Sequence, residues 1–299
     1  MSQSESSDEK RPCWPRAGRS RPDVVVVGAL DRPSVASELN RLRSLIAERA
    51  EIAAVDLDFS YDFEHAQHDL VIVLGGDGSI LQTARQMGEN QLPILGVNCG
   101  HLGFLAALTP DAFLDIWGTV ANGDCELVDH LMLRASIIRD GEEVAVQLGL
   151  NEAAILGGPP YRILNIDLSV DQVHATSYSC DGLIISTPIG STAHNLSAGG
   201  PILRKNLQAF VISPISPHTL THRSVVDTAD RTFDLSVANP NDSTSLVVDG
   251  RVVDVIQPGD RIRVQRSPYS FQMVAVPGQN DYRTLREKLG WSGNTISKS

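Results

Sequence analysis

Nowhere in the sequence does an apolar run approach the ~20 residues that a membrane-spanning helix needs, so no membrane partner is expected. Cysteine is scarce: Cys13, Cys99, Cys125 and Cys180 stand far apart, with no C-x-x-C pair and no histidine cluster at metal spacing. That pattern excludes a disulfide framework and gives no support to a zinc site or a catalytic cysteine. It fits free thiols in a reducing cytoplasm, where the protein is expected to reside. Positive charge is in deficit too, with 25 Lys and Arg against 36 Asp and Glu, a net charge of −11. A general nucleic-acid binder needs a basic face, so nucleic acid is not an expected partner. An anionic small ligand remains admissible, because backbone N–H groups and a few local cations can serve one. The opening stretch MSQSESSDEKRPCWPRAGRSRP has no apolar segment, so no secretory signal is expected. It is polar, rich in serine and bracketed by prolines, and is read as a disordered tail over 1–22.

What is present is a core. Apolar residues make up 42% of the 299-residue chain and charged residues 20%, enough for one large domain or two ordinary ones. The first half alternates between short β-branched runs and helical spacing. DVVVVGA (23–29), a stretch near 52–57, DLVIVL (69–74) and LPILGVN (92–98) read as strands, and 34–50 and 79–88 as helices. Such alternation implies a parallel sheet covered on both faces. After about residue 126 the texture changes to strand after strand with turn residues between, and helical spacing returns only in NDYRTLREKLGW (280–291). The expected architecture is an α/β domain with a parallel sheet, a β-rich domain and a terminal helix, without internal repeats.

Two segments stand out chemically. Residues 71–82 read VIVLGGDGSILQ, a strand stopped by a bare turn and followed by a helix. Gly75, Gly76 and Gly78 are expected to let the backbone take positive φ and approach a ligand closely. The first turn of the helix offers unpaired N–H groups and a positive dipole end, which suits phosphates. No Lys-Ser/Thr follows, so this is not a P-loop, and the third glycine of a dinucleotide fingerprint would fall at Leu81. Asp77 is the unusual member. A carboxylate repels phosphate unless it binds a metal, or takes or orients the proton of an attacking hydroxyl. On these residues alone, a tight left-handed turn capped by Asp77 stays open as the alternative.

The second segment, DGLIISTPIGSTAHNLSAGGPIL (181–203), is dominated by small hydroxyl residues and glycines: Ser186, Thr187, Gly190, Ser191, Thr192, Ser197, Gly199 and Gly200. It offers many hydrogen-bonding groups with little bulk, which suits packing around a flat polar ligand. A structural Gly/Ser loop at a sheet edge is the plain alternative.

GGDG followed by Ser resembles the motif of NAD kinases, of diacylglycerol and sphingosine kinases and, more distantly, of phosphofructokinases, all of which move a phosphoryl group to a hydroxyl. The 181–203 segment narrows this. It is similar to the NAD kinase stretch DGLIxSTPTGSTAYxLSAGGPI, which the lipid kinases lack. VNCGHLGFL (97–105), NEAAI (151–155), PISPHTLTHRSVV (214–226) and VVDGR (247–251) agree with further elements of the same family, and the likeness runs from about 24 to 291. The resemblance implies transfer of phosphate from ATP to the 2′-hydroxyl of the adenosine ribose of NAD, giving NADP, with Mg²⁺ or another divalent cation. The donor stays open between ATP, other triphosphates and polyphosphate. A homo-oligomer, dimer or tetramer, is implied as well. So is a division into 23–126 completed by 277–299, which the terminal helix joins, and a NAD-binding 127–276.

By the same resemblance Asp77 activates or orients the acceptor hydroxyl, and Gly76, Gly78 and Ser79 present donors to phosphate. Asn151 is suited to an adenine edge, since an amide both donates and accepts. Glu152 is suited to a ribose hydroxyl or a metal-bound water; no residue is assigned as a direct metal ligand. Asp181 falls at the nicotinamide end, and Thr192 and Ala193 against the adenine-ribose region. Asp249 either closes on the acceptor ribose or is a simple Asp-Gly hairpin. Phe104 packs on the adenine or in the core, and His218 is read as structural. Three positions depart from the family pattern. His194 stands for its tyrosine, Ile189 for a small hydroxyl residue with loss of a hydrogen bond, and Ser179 for an arginine of some members. Absence of that cation is expected to relax discrimination against NADH. The competing readings are a lipid kinase sharing GGDG and a non-catalytic NAD or NADP sensor.

Overall fold

The computed structural model describes residues 13–14, 19–219, 221–276 and 281–290. They divide into two compact units. The first takes residues up to Gln86, Leu92–Val128 and those from Met273 onward, and the second takes Met87–Gln91 and Asp129–Gln272.

The first unit contains β1 (Asp23–Gly28), α1 (Pro33–Arg49), β2 (Glu51–Asp56), β3 (Leu70–Leu74), α2 (Asp77–Met87), β4 (Ile94–Val97) and α3 (Pro110–Ala121). Strands β1, β3 and β4 are buried at every position, the expected result of unbroken apolar runs covered on both faces. The edge strand β2 is largely open to solvent. The order is β2-β1-β3-β4, with every pair parallel. Connections therefore leave β1 in one direction and β3 in the other, and ligands of such sheets bind outside the carboxyl ends of the strands at this reversal. That is where VIVLGGDGS turns.

Helix α1 starts on Pro33, whose missing N–H costs nothing in a first turn, and buries Val35, Leu39, Leu42 and Ile46 along one stripe. Helix α3 stands where the sequence reading assigns no element. Its signals are local: Thr109 accepts from the Ala112 N–H, Pro110 follows, and Phe113, Trp117 and Val120 form the buried stripe. The terminal helix, Asp281–Leu289, counts with this unit. No described helix is long and apolar enough to cross a membrane.

Two residues inside the expected tail over 1–22 are buried. Trp14 is 2% exposed, and its Nε1–H donates to the Val120 carbonyl at 2.8 Å, so an indole is seated against the end of α3. Residues 1–12 and 15–18 of the expected tail lie outside the described residues.

The second unit carries β5 (Leu127–Arg139), β6 (Glu142–Gly149), β7 (Glu152–Leu156), β8 (Leu164–Val170), β9 (Val173–Cys180), β10 (Gly182–Ser186), β11 (Ala209–Ile215), β12 (Val225–Thr228), β13 (Phe233–Val237), β14 (Ser245–Val248), β15 (Arg251–Val255) and β16 (Arg261–Val274). β5 begins, and β16 ends, with residues of the first unit. A six-stranded antiparallel sheet runs β12-β11-β10-β7-β14-β15, and a second antiparallel set runs β16-β13-β8-β9. Alternate residues of both, such as Ala153 and Ile155, Leu183 and Ile185, Ile166 and Leu168, and Phe233 and Leu235, share one buried cluster. Period-two alternation feeding one core from two sheets is the arrangement of a sandwich.

Candidate active site

In the first unit Asp77 is the first residue of α2, so the helix begins on the carboxylate that the sequence reading put in the turn. The glycines also act differently from expectation. Of the three, Gly75 alone has positive φ. A Cβ there would stand 2.3 Å from the Ser79 Oγ, so Gly75 is needed for close packing of the turn. A Cβ on Gly78 would meet nothing within 4 Å, and one on Gly76 would meet only the Arg32 guanidinium, at 4.0 Å. Backbone strain does not ask for glycine at these two positions. What they supply is open space at a helix N-terminus, where N–H groups have no intrahelical acceptor.

That space belongs to a cavity of about 530 Å³ at the carboxyl ends of β1 and β3, lined by Asp31, Arg32, Asp58, Gly78, Ser79 and Gln82 among others. Arg32 caps α1 with its backbone while its side chain makes no capping bond, and it forms no ion pair among the described residues. The sequence reading missed it. The available signal was the Arg32-Pro33 pair in the short turn between a buried strand and the next helix, which keeps a cation near the strand's carboxyl end.

The Asp77 carboxylate is held from the other side. Oδ2 accepts the Phe104 N–H at 2.7 Å, and Oδ1 accepts those of Leu105 and Ala106, each at 2.9 Å. Gly103 permits this, since a Cβ there would stand 2.1 Å from Oδ1. Asp77 is thus oriented by the NxGxLGFL element. Phe104 is half-buried and outside the apolar core cluster; the Lys288 Nζ lies 5.1 Å from its ring centroid.

In the second unit the sequence-predicted residues gather where β7 starts and β10 and β14 end. Ser186 pairs with Glu152, and Val248 with Ala153. Asp249 and Gly250 join β14 to β15 as a two-residue turn with φ of 47° and 75°, the hairpin expected of Asp-Gly. The same Asp249 reaches across: Oδ2 accepts the Leu150 N–H at 2.7 Å, and Oδ1 accepts those of Asn151 and Glu152 at 2.8 and 3.1 Å. Each unit therefore uses one aspartate to gather three successive N–H groups of a motif loop.

Glu152 is 6% exposed, and its Oε2 has no hydrogen-bond partner among the described residues. Burial foremost, then the charge of Asp249, pushes its carboxyl up to about 8, against a lowering by the His194 N–H. At neutral pH it is mostly the protonated acid and so can donate as well as accept. Asn151 fixes the neighbouring loop through its carbonyl, which accepts the Thr187 N–H at 2.8 Å, while its side-chain amide makes no hydrogen bond among the described residues.

The hydroxyls of 181–203 are used differently from the expectation. Ser186, Thr187 and Ser191 are fully buried and bond to backbone: Thr187 Oγ1 to the Leu150 carbonyl at 2.5 Å, Ser191 Oγ to that of Pro188 at 2.6 Å. The half-buried Thr192 donates to the Ile189 carbonyl at 3.2 Å. Buried hydroxyls must find partners, and here they shape the loop. A Cβ on Gly190 would fall 2.0 Å from the Asn151 carbonyl oxygen, so the two motif loops touch through a glycine. Ile189 is 4% exposed, whereas Ala193 and His194 are half-buried at the start of a short helix, His194–Ser197. Asp181 is not part of this group. It precedes β10, a strand length or roughly 13 Å from the Glu152 end, and faces the His218 Nε2 at 3.5 Å.

No three His, Cys, Asp or Glu side chains cluster to hold a metal ion among the described residues. The carboxylates lining the cavity at the carboxyl ends of β1 and β3 are Asp31 and Asp58. Two carboxylates suit a hydrated divalent cation that brings phosphate ligands with it, and do not make a protein cage.

Residues 32–125 match the family model for the ATP-NAD kinase N-terminal domain, and residues 150–276 that for the ATP-NAD kinase C-terminal domain. The NAD kinase of Rhodopirellula baltica is 61% identical over 96% of this chain and 92% of its own length. That of Geotalea daltonii is 41% identical over 75% of this chain and 79% of its own. Among solved structures, an NAD kinase from Archaeoglobus fulgidus in complex with ATP matches with a TM-score of 0.70 and 26% identity, covering 90% of this chain and 97% of that one. Yeast NADH kinase complexed with NADH matches in fold with a TM-score of 0.81 at 20% identity, covering 93% and 90%.

Proposed function

The chain belongs to the NAD kinase family, and from that premise we propose that it transfers the terminal phosphoryl group of ATP to the 2′-hydroxyl of the adenosine ribose of NAD, releasing ADP and NADP. The observation that carries the reading is the cavity at the carboxyl ends of β1 and β3, walled by the first turn of α2 and the Arg32 guanidinium. A cation and a helix N-terminus on one open wall suit a phosphate chain.

Phosphoryl transfer asks a protein mainly for position and charge neutralisation. Gly76, Gly78 and Ser79 offer donors to the donor phosphates, and Arg32 offsets their charge. Asp77, oriented by three N–H groups, takes or directs the proton of the attacking 2′-hydroxyl. In the second unit the Asn151 amide reads an adenine edge, and the protonated Glu152 donates to a ribose hydroxyl. Thr192, Ala193 and His194 line the adenosine side. Asp249 acts by fixing the backbone of Asn151 and Glu152. A dinucleotide laid along β10 would bring its nicotinamide end toward Asp181. Asp31 and Asp58, which line the cavity, would hold Mg²⁺ or a similar ion through its water, and the ion would supply charge neutralisation to the phosphates.

A cytoplasmic location is supported by four cysteines that are all free thiols. A homo-oligomer is supported by the edge strands β12 and β15, which expose Val225, Val226 and Val252. The test is incubation of the purified chain with Mg-ATP or polyphosphate and either NAD or NADH, with NADP and NADPH quantified. Product from NAD supports the reading. No product from either dinucleotide, with binding still measurable, overturns it in favour of a sensor.

A further inference from the structure

Among the described residues, Cys13 and Cys125 are the two cysteines that come together. The Cys13 Sγ–H donates to the Cys125 carbonyl at 3.2 Å, which sets the sulfur of one against the backbone of the other. Cys180 lies in the sandwich core and Cys99 bonds to the Val97 carbonyl, so neither touches another thiol. Cys13 is held in place by its own N–H, which donates to the Gly123 carbonyl at 3.0 Å, and by the neighbouring Trp14. Gly123, with φ of 78°, turns the chain after α3 and brings Cys125 back toward it. Both sulfur-bearing residues line a cavity of about 830 Å³, shared with Asp115, Thr119 and Val276, and Cys13 is exposed. An oxidant therefore has access to the pair.

We infer that Cys13 and Cys125 form a reversible disulfide in the presence of a hydroperoxide, latching the N-terminal segment onto the end of α3. Burial, and then the neighbouring Cys13, pushes the Cys125 thiol up to about 12, so the accessible Cys13 is the attacking sulfur. Its thiolate takes one oxygen from hydrogen peroxide, giving a sulfenic acid, and the released hydroxide leaves as water. The Cys125 sulfur then attacks the sulfenic sulfur, the S–O bond breaks, and the Cys125 proton leaves with the departing hydroxide as a second water. Two thiols lose two electrons, and one peroxide becomes two waters. A thiol reductant reverses the bond by exchange. The latch is independent of the kinase reading. It closes a loop between residues 112 apart in sequence, so oxidation raises the melting temperature by roughly 5 °C.

The experiment treats the full chain with hydrogen peroxide, blocks remaining thiols, and maps peptides by mass spectrometry without reduction. The expected result is one Cys13–Cys125 linked peptide, with Cys99 and Cys180 alkylated, and dithiothreitol restoring four alkylatable thiols. Cys13→Ser, at an exposed position, removes both the linked peptide and the rise in melting temperature. Overturning results are Cys13 and Cys125 alkylated to the same extent before and after peroxide, or a melting rise that persists in Cys13→Ser. The peptide map of the unmutated protein decides the matter even if a variant folds poorly.

Discussion

Glu152 and Asp249 hold each other through a reciprocal pair of bonds: the Glu152 N–H donates to the Asp249 Oδ1 at 3.1 Å, and the Asp249 N–H donates to the Glu152 carbonyl at 3.0 Å. This clamp joins the start of β7 to the β14–β15 hairpin. It also places a buried carboxyl beside a second one, and one of the two is then kept neutral.

The pH dependence follows with a definite sign. The folded value of about 8 lies above the ordinary 4.5, so the folded state holds the Glu152 proton longer than the unfolded chain does. Stability from this group is complete below about pH 4.5 and is lost as pH rises through 8, by a few kcal/mol at most. Glu152→Gln keeps the shape and removes the titration. Its melting temperature should exceed that of the wild type at pH 8.5 and converge with it near pH 4.5; parallel curves would sink the assignment.

Asp77→Asn should lower stability and rate together. Asp77 accepts three N–H groups through both oxygens. An amide keeps one acceptor and turns an NH₂ toward a donor, which costs about 1–3 kcal/mol. If the carboxylate also handles the acceptor proton, kcat falls on the order of 10²-fold or more. Thermal melts and initial rates separate the two roles. A lowered melting temperature with kcat unchanged would leave Asp77 as an anchor alone.

Much of this was legible in the chain, and the boundary has physical causes. The unbroken apolar runs of β1 and β3 and the motif sequences announce the sheet and the loops that carry Asp77, Asn151, Glu152 and Asp249. Long-range partners do not show in a linear pattern: that Asp77 binds 104–106, or that Asp249 binds 150–152, depends on contacts 27 and 98 residues apart. The hydroxyl-rich stretch looked ligand-facing because composition reports groups, and burial decides their use; Ser186, Thr187 and Ser191 turned inward. Helix α3 was missed although its Thr-Pro-Asp start and the Phe113–Trp117 spacing carried the signal. Arg32 escaped notice because an exposed arginine adds nothing to an apolar periodicity, and the Arg32-Pro33 pair after β1 was the one local mark it left.

Arg32→Gln should raise the KM for the phosphoryl donor about tenfold or more, leave the KM for NAD near its wild-type value, and leave stability unchanged. The guanidinium is exposed and has no ion pair among the described residues to lose, so its removal weakens only what the cavity attracts. The donor KM of the wild type should also rise with salt more steeply than that of the variant. Equal donor KM values for both proteins would remove Arg32 from the phosphate wall.

Gly78 and Gly190 look alike in sequence and should behave in opposite ways. Alanine at Gly78 puts a methyl group into open space on α2, where alanine favours the helix over glycine by up to about 1 kcal/mol. The variant should fold at least as well as the wild type. If donor phosphates approach that backbone, the same methyl group occupies their place, and kcat/KM for ATP should fall by at least tenfold. Alanine at Gly190 drives a Cβ to 2.0 Å from the Asn151 carbonyl oxygen, a backbone atom with no room to move, so fold and activity should fail together. Melting curves and donor kinetics on both variants give the answer. A stable Gly78→Ala with wild-type ATP kinetics would show that nothing binds against the turn, and the glycine would then be there only for the chain's own geometry.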